Sequence, residues 1–134
     1  MNNKGFTLIE VIIVIGIIGV LATMALIGMN PSSYFQSARN NQREIHVNTI
    51  HGALIDYISK EGEYPPCVPD TGEVDATDCE SHILNGNIPV DPLGDDCAID
   101  QSGYLIKKST DYTIGVKANC AEGDEDITAG EWNE

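Results

Sequence analysis

The sequence predicts an α+β protein in which one long N-terminal helix packs on a small C-terminal antiparallel sheet. Three observations predict this fold class. An apolar run fills residues 6–29, an amphipathic helical pattern occupies residues 31–61, and two short segments near the C-terminus alternate polar and apolar residues. We expect residues 62–134, which are rich in turn-forming residues, to be the globular part.

The apolar run contains a single charged residue, Glu10. A helix rises ~1.5 Å per residue and needs ~20 apolar residues to cross a bilayer. Residues 6–30 are therefore long enough for a transmembrane helix. A carboxylate in hydrocarbon costs at least ~2.5 kcal/mol, so Glu10 needs a partner.

The first five residues, MNNKG, indicate what that partner is. A secretory signal peptide is cut after its apolar core, whereas a cut between Gly5 and Phe6 precedes the core here. Removal of residues 1–5 leaves a cationic amine on Phe6, one helical turn from Glu10. Between staggered neighbouring helices, this amine can neutralise Glu10 and fix their register. The alternative is an ordinary signal anchor with an isolated acid.

The sequence GFTLIE at residues 5–10, followed by an apolar helix, resembles the N-terminus of type IV pilins and of type II secretion pseudopilins. The resemblance implies a type IV pilin-like fold, a prepilin peptidase that cuts between Gly5 and Phe6, and methylation of the Phe6 amine. It also implies a homo-oligomeric filament with minor pilins or pseudopilins, in which Glu10 pairs with a neighbour. An inner-membrane assembly platform and a cytoplasmic ATPase are the implied partners in assembly.

Composition favours one small extracytoplasmic domain. The formal charge is −14, and most of the 21 acidic residues lie from Cys67 onward, whereas Lys4 is the only charged side chain before Glu10. A basic flank inside and an acidic domain outside predict a single-pass protein of the inner (cytoplasmic) membrane with a cytoplasmic N-terminus. An acidic domain repels phosphates, so nucleic acid is not an expected partner.

The chain has four cysteines, Cys67, Cys79, Cys97 and Cys120, and none of them forms a CxxC motif. Two disulfides outside the cytoplasm are therefore favoured over a metal site or a thioredoxin-type site. Three connectivities are possible. The sequential pairing, Cys67 with Cys79 and Cys97 with Cys120, closes the shortest loops and is preferred.

Residues 31–61 are predicted to continue the helix, with a bend or a restart after Pro31. Gly62 and the prolines at 65 and 66 are expected to end it. Its predicted apolar stripe consists of Val47, Ile50, Ala53, Leu54, Tyr57 and Ile58. The polar residues predicted on other faces are Arg43, Glu44, Asn48 and Asp56.

The C-terminal part is predicted to contain an antiparallel hairpin. Its strands are Ser102–Ile106 and Asp111–Lys117, and Lys107–Thr110 form the turn. A short helical turn is expected at Ser81–Leu84. The sequence DPLG at residues 91–94 resembles the DPWG element of major pseudopilins, and Asp91 is predicted to be a turn-former that accepts local backbone N–H groups.

The loop at residues 119–126 carries four acids within five positions. These acids repel one another unless a cation or open solvent intervenes, and oxygen ligands on a glycine-containing loop suit Ca²⁺. Asp126-Ile127 followed by Trp132 resembles the end of the calcium-binding loop of major pseudopilins. The resemblance implies Asp126, Asp124 and Asn119 as calcium ligands; a solvated acidic loop is the alternative.

The sequence contains no nucleophile elbow, P-loop or dinucleotide motif, so we expect a structural protein rather than an enzyme. The predicted function is that of a subunit of a type II secretion pseudopilus, closest to the major pseudopilin. One alternative is a major or minor type IV pilin for adhesion, motility or DNA uptake. Another is a membrane-tethered, calcium-dependent binding module that does not polymerise.

Overall fold

The computed structural model describes residues 5–28, 30–97, 102–109, 113–123 and 126–132. The chain divides into two compact units, Met1–Tyr34 and Phe35–Glu134. In the first unit, helix α1 spans Leu8–Gly28. Every residue of α1 is exposed, and its 21 residues are apolar enough to cross a membrane by length and composition. Its chemistry therefore matches the expected transmembrane segment.

A separate helix, α2, spans Pro31–Glu61. Proline fits the first helical position because its missing N–H would have no intrahelical acceptor there. Two side chains of the first turn bind the residue that precedes the helix: Ser33 Oγ donates to the Asn30 carbonyl oxygen (2.9 Å), and Ser32 Oγ donates to Asn30 Oδ1 (2.7 Å). Of the two outcomes left open at Pro31, the structure has a restart. The predicted stop is confirmed, because Gly62 follows α2 with a φ of +75°.

The described residues of the globular part form one antiparallel sheet. Its strands are β1 (Glu73–Asp75), β2 (Tyr104–Lys108), β3 (Ile114–Ala118) and β4 (Thr128–Gly130), in the spatial order β1-β2-β3-β4. The predicted hairpin corresponds to β2 and β3. Its predicted turn was wrong in position, because Lys107 pairs with Gly115 and Lys108 with Ile114. Asp111, which was predicted to start the second strand, lies outside the described residues.

The core lies between α2 and the sheet. Val47, Ile50 and Leu54 are fully buried, and Ala53, Tyr57 and Ile58 pack against the same core, which confirms the predicted stripe. One prediction for this helix was wrong: Arg43 does not take an outer face but is fully buried. It precedes Val47 by four residues and so extends the stripe by one turn. Its buried charge is compensated by hydrogen bonds to the carboxylates of Asp91 and Glu122.

Both disulfides lie in the globular part. Cys67 is bonded to Cys79 and Cys97 to Cys120, which is the sequential pairing that the short loops favour. Each bond ties a turn-rich segment to a neighbouring element. Such cross-links constrain the unfolded chain and suit a domain with a modest core.

The helical turn expected at Ser81–Leu84 was wrong in position. Short 3₁₀ helices occupy Ala76–Cys79 and Leu84–Gly86 instead. The first one starts early because the Asp75 carboxylate accepts a hydrogen bond from the Thr77 backbone N–H (2.9 Å) and thereby caps it. The capping residue, and not the apolar pattern, sets this boundary.

Candidate assembly segment and an arginine–carboxylate cluster

The candidate assembly segment consists of residues 5–10 at the start of α1. Gly5 and Phe6 precede the helix, and Phe6 is exposed. Glu10 Oε2 accepts hydrogen bonds from Thr7 N (2.7 Å) and from Thr7 Oγ1 (2.8 Å). In return, the Glu10 backbone N–H donates to Thr7 Oγ1 (3.3 Å). Thr7 and Glu10 therefore form a capping box, the S/T-x-x-E arrangement that starts many helices.

The capping box was missed in the sequence although its spacing is visible there. It gives the Glu10 carboxylate two neutral donors from its own chain, and these hold it at the first turn of α1. Neutral donors satisfy hydrogen-bonding capacity, but they leave the negative charge uncompensated. The structure thus presents an oriented carboxylate that still lacks a counter-charge within the described part of this segment.

The second candidate site is an arginine–carboxylate cluster formed by Arg39, Asn40, Arg43, Asp91 and Glu122. At its centre, Arg43 Nε donates to Asp91 Oδ2 (2.7 Å) and Arg43 Nη2 donates to Asp91 Oδ1 (2.9 Å). The two side chains are 0% and 1% exposed. This bidentate geometry is the strong form of an arginine–carboxylate pair. The pair fastens α2 to the turn at residues 91–94.

Asp91 also acts as the predicted turn-former. Its Oδ1 accepts from the Leu93 backbone N–H (2.9 Å), and its carbonyl oxygen accepts from the Gly94 N–H (2.8 Å). The local role of Asp91 is therefore confirmed, but the sequence did not indicate its ion pair with Arg43. One carboxylate shapes the turn and attaches it to the helix.

Glu122 completes the cluster from the loop after β3. Arg39 donates from Nε and Nη2 to the two carboxylate oxygens of Glu122, both at 2.5 Å, and Arg43 Nη1 adds a third bond at 3.0 Å. The Asn40 amide holds the backbone of the same residue: Nδ2 donates to the Glu122 carbonyl (2.8 Å), and Oδ1 accepts from its N–H (3.1 Å). Two guanidinium groups thus face two carboxylates, so the cluster is neutral.

Hydrogen bonds from the Arg39 and Arg43 guanidinium groups lower the pKa of Glu122 to about 2. Near the cluster, burial lowers the pKa of His46, whose Nδ1 lies 2.7 Å from Tyr104 Oη. The first shift favours the ionised form of Glu122, and the second favours the neutral form of His46. Both therefore predict a loss of stability in acid.

We expect the melting temperature of the globular part to fall in two stages on acidification. Below about pH 6.5 the unfolded chain binds a proton at His46 more readily than the folded chain does. The stabilisation from Glu122 is complete above about pH 4.5 and is lost as the pH falls toward about 2. Thermal unfolding followed at a series of pH values measures both stages. Glu122→Gln should flatten the lower stage, and Asp56→Asn, which alters an exposed ion pair, should leave it intact; the same lower stage in both variants would contradict this assignment.

Of the three predicted calcium ligands, the structure describes Asn119 and Asp126, which flank the hydrogen bond from the Ala118 N–H to the Ile127 carbonyl (2.9 Å). The Asp126 side chain is 81% exposed, and its Oδ1 lies 3.5 Å from Lys117 Nζ. The Asn119 backbone N–H donates to the Gly103 carbonyl (3.0 Å), and Asp124 lies outside the described residues. Among the described residues no three His, Cys, Asp or Glu side chains form a metal-binding group. Calcium binding at these positions stays a prediction.

Comparisons with known proteins agree with the N-terminal motif. Residues 1–26 match the family described as the prokaryotic N-terminal methylation motif. The chain is also 35% identical, over 82 residues, to a curated protein named "Fimbrial protein" from Neisseria meningitidis serogroup A / serotype 4A. That alignment covers 61% of this chain and 47% of the relative, so the chain spans about half the length of the curated relative it matches. No solved structure matches the chain.

The chain is therefore similar at its N-terminus to proteins with this methylation motif, and over 61% of its length to a fimbrial protein. The N-terminal helices and the small four-stranded antiparallel sheet are the α+β elements of a pilin-like fold. The apolar helix α1, together with the methylation motif, suggests membrane anchoring.

Proposed function

We propose that the chain is a structural subunit of a helical pilus-like filament. The observation that carries this proposal is α1, whose apolar side chains are exposed around the whole helix beside one acid, Glu10. A helix that is apolar on every side requires lipid or neighbouring helices around it. Lipid provides this surrounding before assembly, and the helices of other subunits provide it afterwards.

In this proposal, a prepilin peptidase removes residues 1–5, and the new Phe6 amine is methylated and stays cationic. Glu10 of one subunit then pairs with the Phe6 amine of another. Lateral burial of the apolar side chains supplies most of the cohesion, since each buried Ile or Leu contributes about 1.5–3 kcal/mol. The ion pair contributes specificity, because only one stagger of the helices brings the two charges together.

The proposed location follows from the charge distribution. The N-terminus is cytoplasmic, α1 spans the inner membrane once, and the acidic globular part lies outside the cytoplasm. A membrane assembly platform and a cytoplasmic ATPase move the subunit from the bilayer into the filament. Minor pilins or pseudopilins accompany it. The role is mechanical, with no catalytic step.

Within the family we propose a type II secretion pseudopilus subunit of the major pseudopilin kind. The DPLG turn at residues 91–94 and the Asp126-Ile127…Trp132 ending support this choice. A type IV pilin of a surface fibre is the second candidate, and the similarity to a fimbrial protein favours it. Gene neighbourhood separates the two: secretion genes beside an outer-membrane secretin indicate a pseudopilus, and pilus genes with a retraction ATPase indicate a surface fibre.

The proposed processing predicts a specific mature N-terminus. Mass spectrometry of the chain purified from its own membranes should give a protein that starts at Phe6 and carries one added methyl group. The same chain expressed in cells without a prepilin peptidase is the control, and it should retain Met1. A membrane-inserted protein that keeps Met1 in the presence of the peptidase would overturn the processing, and with it the ion pair proposed for assembly.

A further inference from the structure

We propose that two guanidinium groups of the chain, those of Arg39 and Arg43, organise residues 119–123 of the acidic loop in place of a bound calcium ion. The backbone of residues 119–123 then needs no divalent cation to keep its conformation. The inference concerns the globular part alone and does not depend on whether the chain polymerises.

A calcium ion in such a loop has two tasks: it neutralises clustered carboxylates, and it fixes the backbone by binding carbonyl oxygens. Arg39 and Arg43 perform the first task at Glu122, since their N–H groups occupy both of its carboxylate oxygens. A planar guanidinium matches a carboxylate in this bidentate way better than an ammonium does. Glu122 therefore has its counter-charges within the chain.

Asn40 performs the second task. Its amide binds both the carbonyl oxygen and the N–H of Glu122, so the backbone of the loop is held to α2 on both sides of one residue. Asn40 is 5% exposed, and Arg43 is fully buried. Asn40 and Arg43 therefore hold the loop from the interior, where water competes little for their hydrogen bonds. The Arg39 side chain, at 29% exposed, makes its contact with Glu122 at the edge of this interior.

Two further contacts involve this loop, a disulfide at its start and an exposed ion pair near its end. The disulfide between Cys97 and Cys120 ties its start to the segment that follows the Asp91 turn. Near its end, the ammonium of Lys117 lies 3.5 Å from the exposed carboxylate of Asp126, the residue expected first as a calcium ligand. A cation of the chain therefore stands beside each of the two described acids in this loop.

The test is thermal unfolding of the full chain in detergent micelles, with either a chelator or excess calcium chloride. We expect the two melting temperatures to agree within about 1 °C, because a ligand raises the melting temperature only if it binds the folded state preferentially. A saturable rise of several degrees with calcium, abolished by Asp126→Asn, would overturn the proposal. Direct calorimetric titration with calcium should likewise show no saturable heat.

The variant Arg39→Gln tests whether the guanidinium group of Arg39 organises the loop. It should lower the melting temperature by at least about 4 °C, equally in chelator and in calcium, because Glu122 loses its bidentate partner. Lys60→Gln is the matched control: it removes a basic residue of the same helix from an exposed pair with Asp56, and it should change the melting temperature by less than about 2 °C. Equal effects of the two variants would show that Arg39 does not organise the loop.

Discussion

Replacing Glu10 with glutamine is expected to abolish filament assembly while leaving the subunit in the membrane. Glutamine serves in a capping box as glutamate does, so the start of α1 should be preserved and only the charge removed. The Phe6 amine of the neighbour would then enter an apolar surrounding without a counter-charge. Removing one partner of a buried ion pair costs about 3–5 kcal/mol. This cost corresponds to a decrease of more than about a hundredfold in the equilibrium constant for assembly.

The measurement is the amount of filament recovered by shearing or seen by electron microscopy, normalised to subunit in the membrane by immunoblotting. Thr7→Val is the matched control, because it removes the hydroxyl of the capping box and keeps the charge of Glu10. It should reduce assembly much less. Wild-type amounts of filament from Glu10→Gln would show that the ion pair does not set the stagger. Unchanged cellular function with no filament in any strain would favour the membrane-tethered module.

The features that the sequence predicted well are those encoded by nearby residues. The stripe from Val47 to Ile58 follows from helical periodicity, and the end of α2 follows from Gly62. The hairpin was predicted because its strands are adjacent in the chain and alternate in polarity. In each case residues within about fifteen positions carry the signal, and no distant partner is required.

The features that the sequence did not predict depend on distant partners. A periodicity argument counts Arg43 as polar and places it in water, but its burial is decided by Asp91, 48 residues away, and by Glu122, 79 residues away. No local pattern encodes either pairing. The Thr7–Glu10 capping box is the exception, since its S/T-x-x-E spacing is local and visible in the sequence.

The two short strands β1 and β4 were missed for a related reason. Each has only three residues, too few to show alternation, and each is a strand because a longer strand lies beside it. Gly130 in β4 illustrates the constraint: a Cβ there would collide with the Ile114 carbonyl oxygen and with the ring of His51. Tertiary neighbours, and not intrinsic preference, fix this segment.

Replacing Arg43 with methionine is expected to be the most damaging single change in the globular part. Methionine fills much of the same space but leaves the buried carboxylate of Asp91 without its bidentate partner. Removing one partner of a buried ion pair costs about 3–5 kcal/mol. For a domain of this size that predicts a melting temperature lower by about 12 °C or more. Near-ultraviolet circular dichroism of the full chain in micelles measures the transition.

The double variant Arg43→Met with Asp91→Asn separates the buried charge from simple loss of packing. Asparagine keeps an oxygen that can accept from the Leu93 N–H, so the turn should persist while the stranded charge disappears. We expect the double variant to be more stable than Arg43→Met alone, because removing a whole buried pair is far less costly than removing half of it. If the stability losses of Arg43→Met and Asp91→Asn simply add in the double variant, Arg43 acts through packing alone. The ion pair would then not be what connects α2 to the turn at residues 91–94.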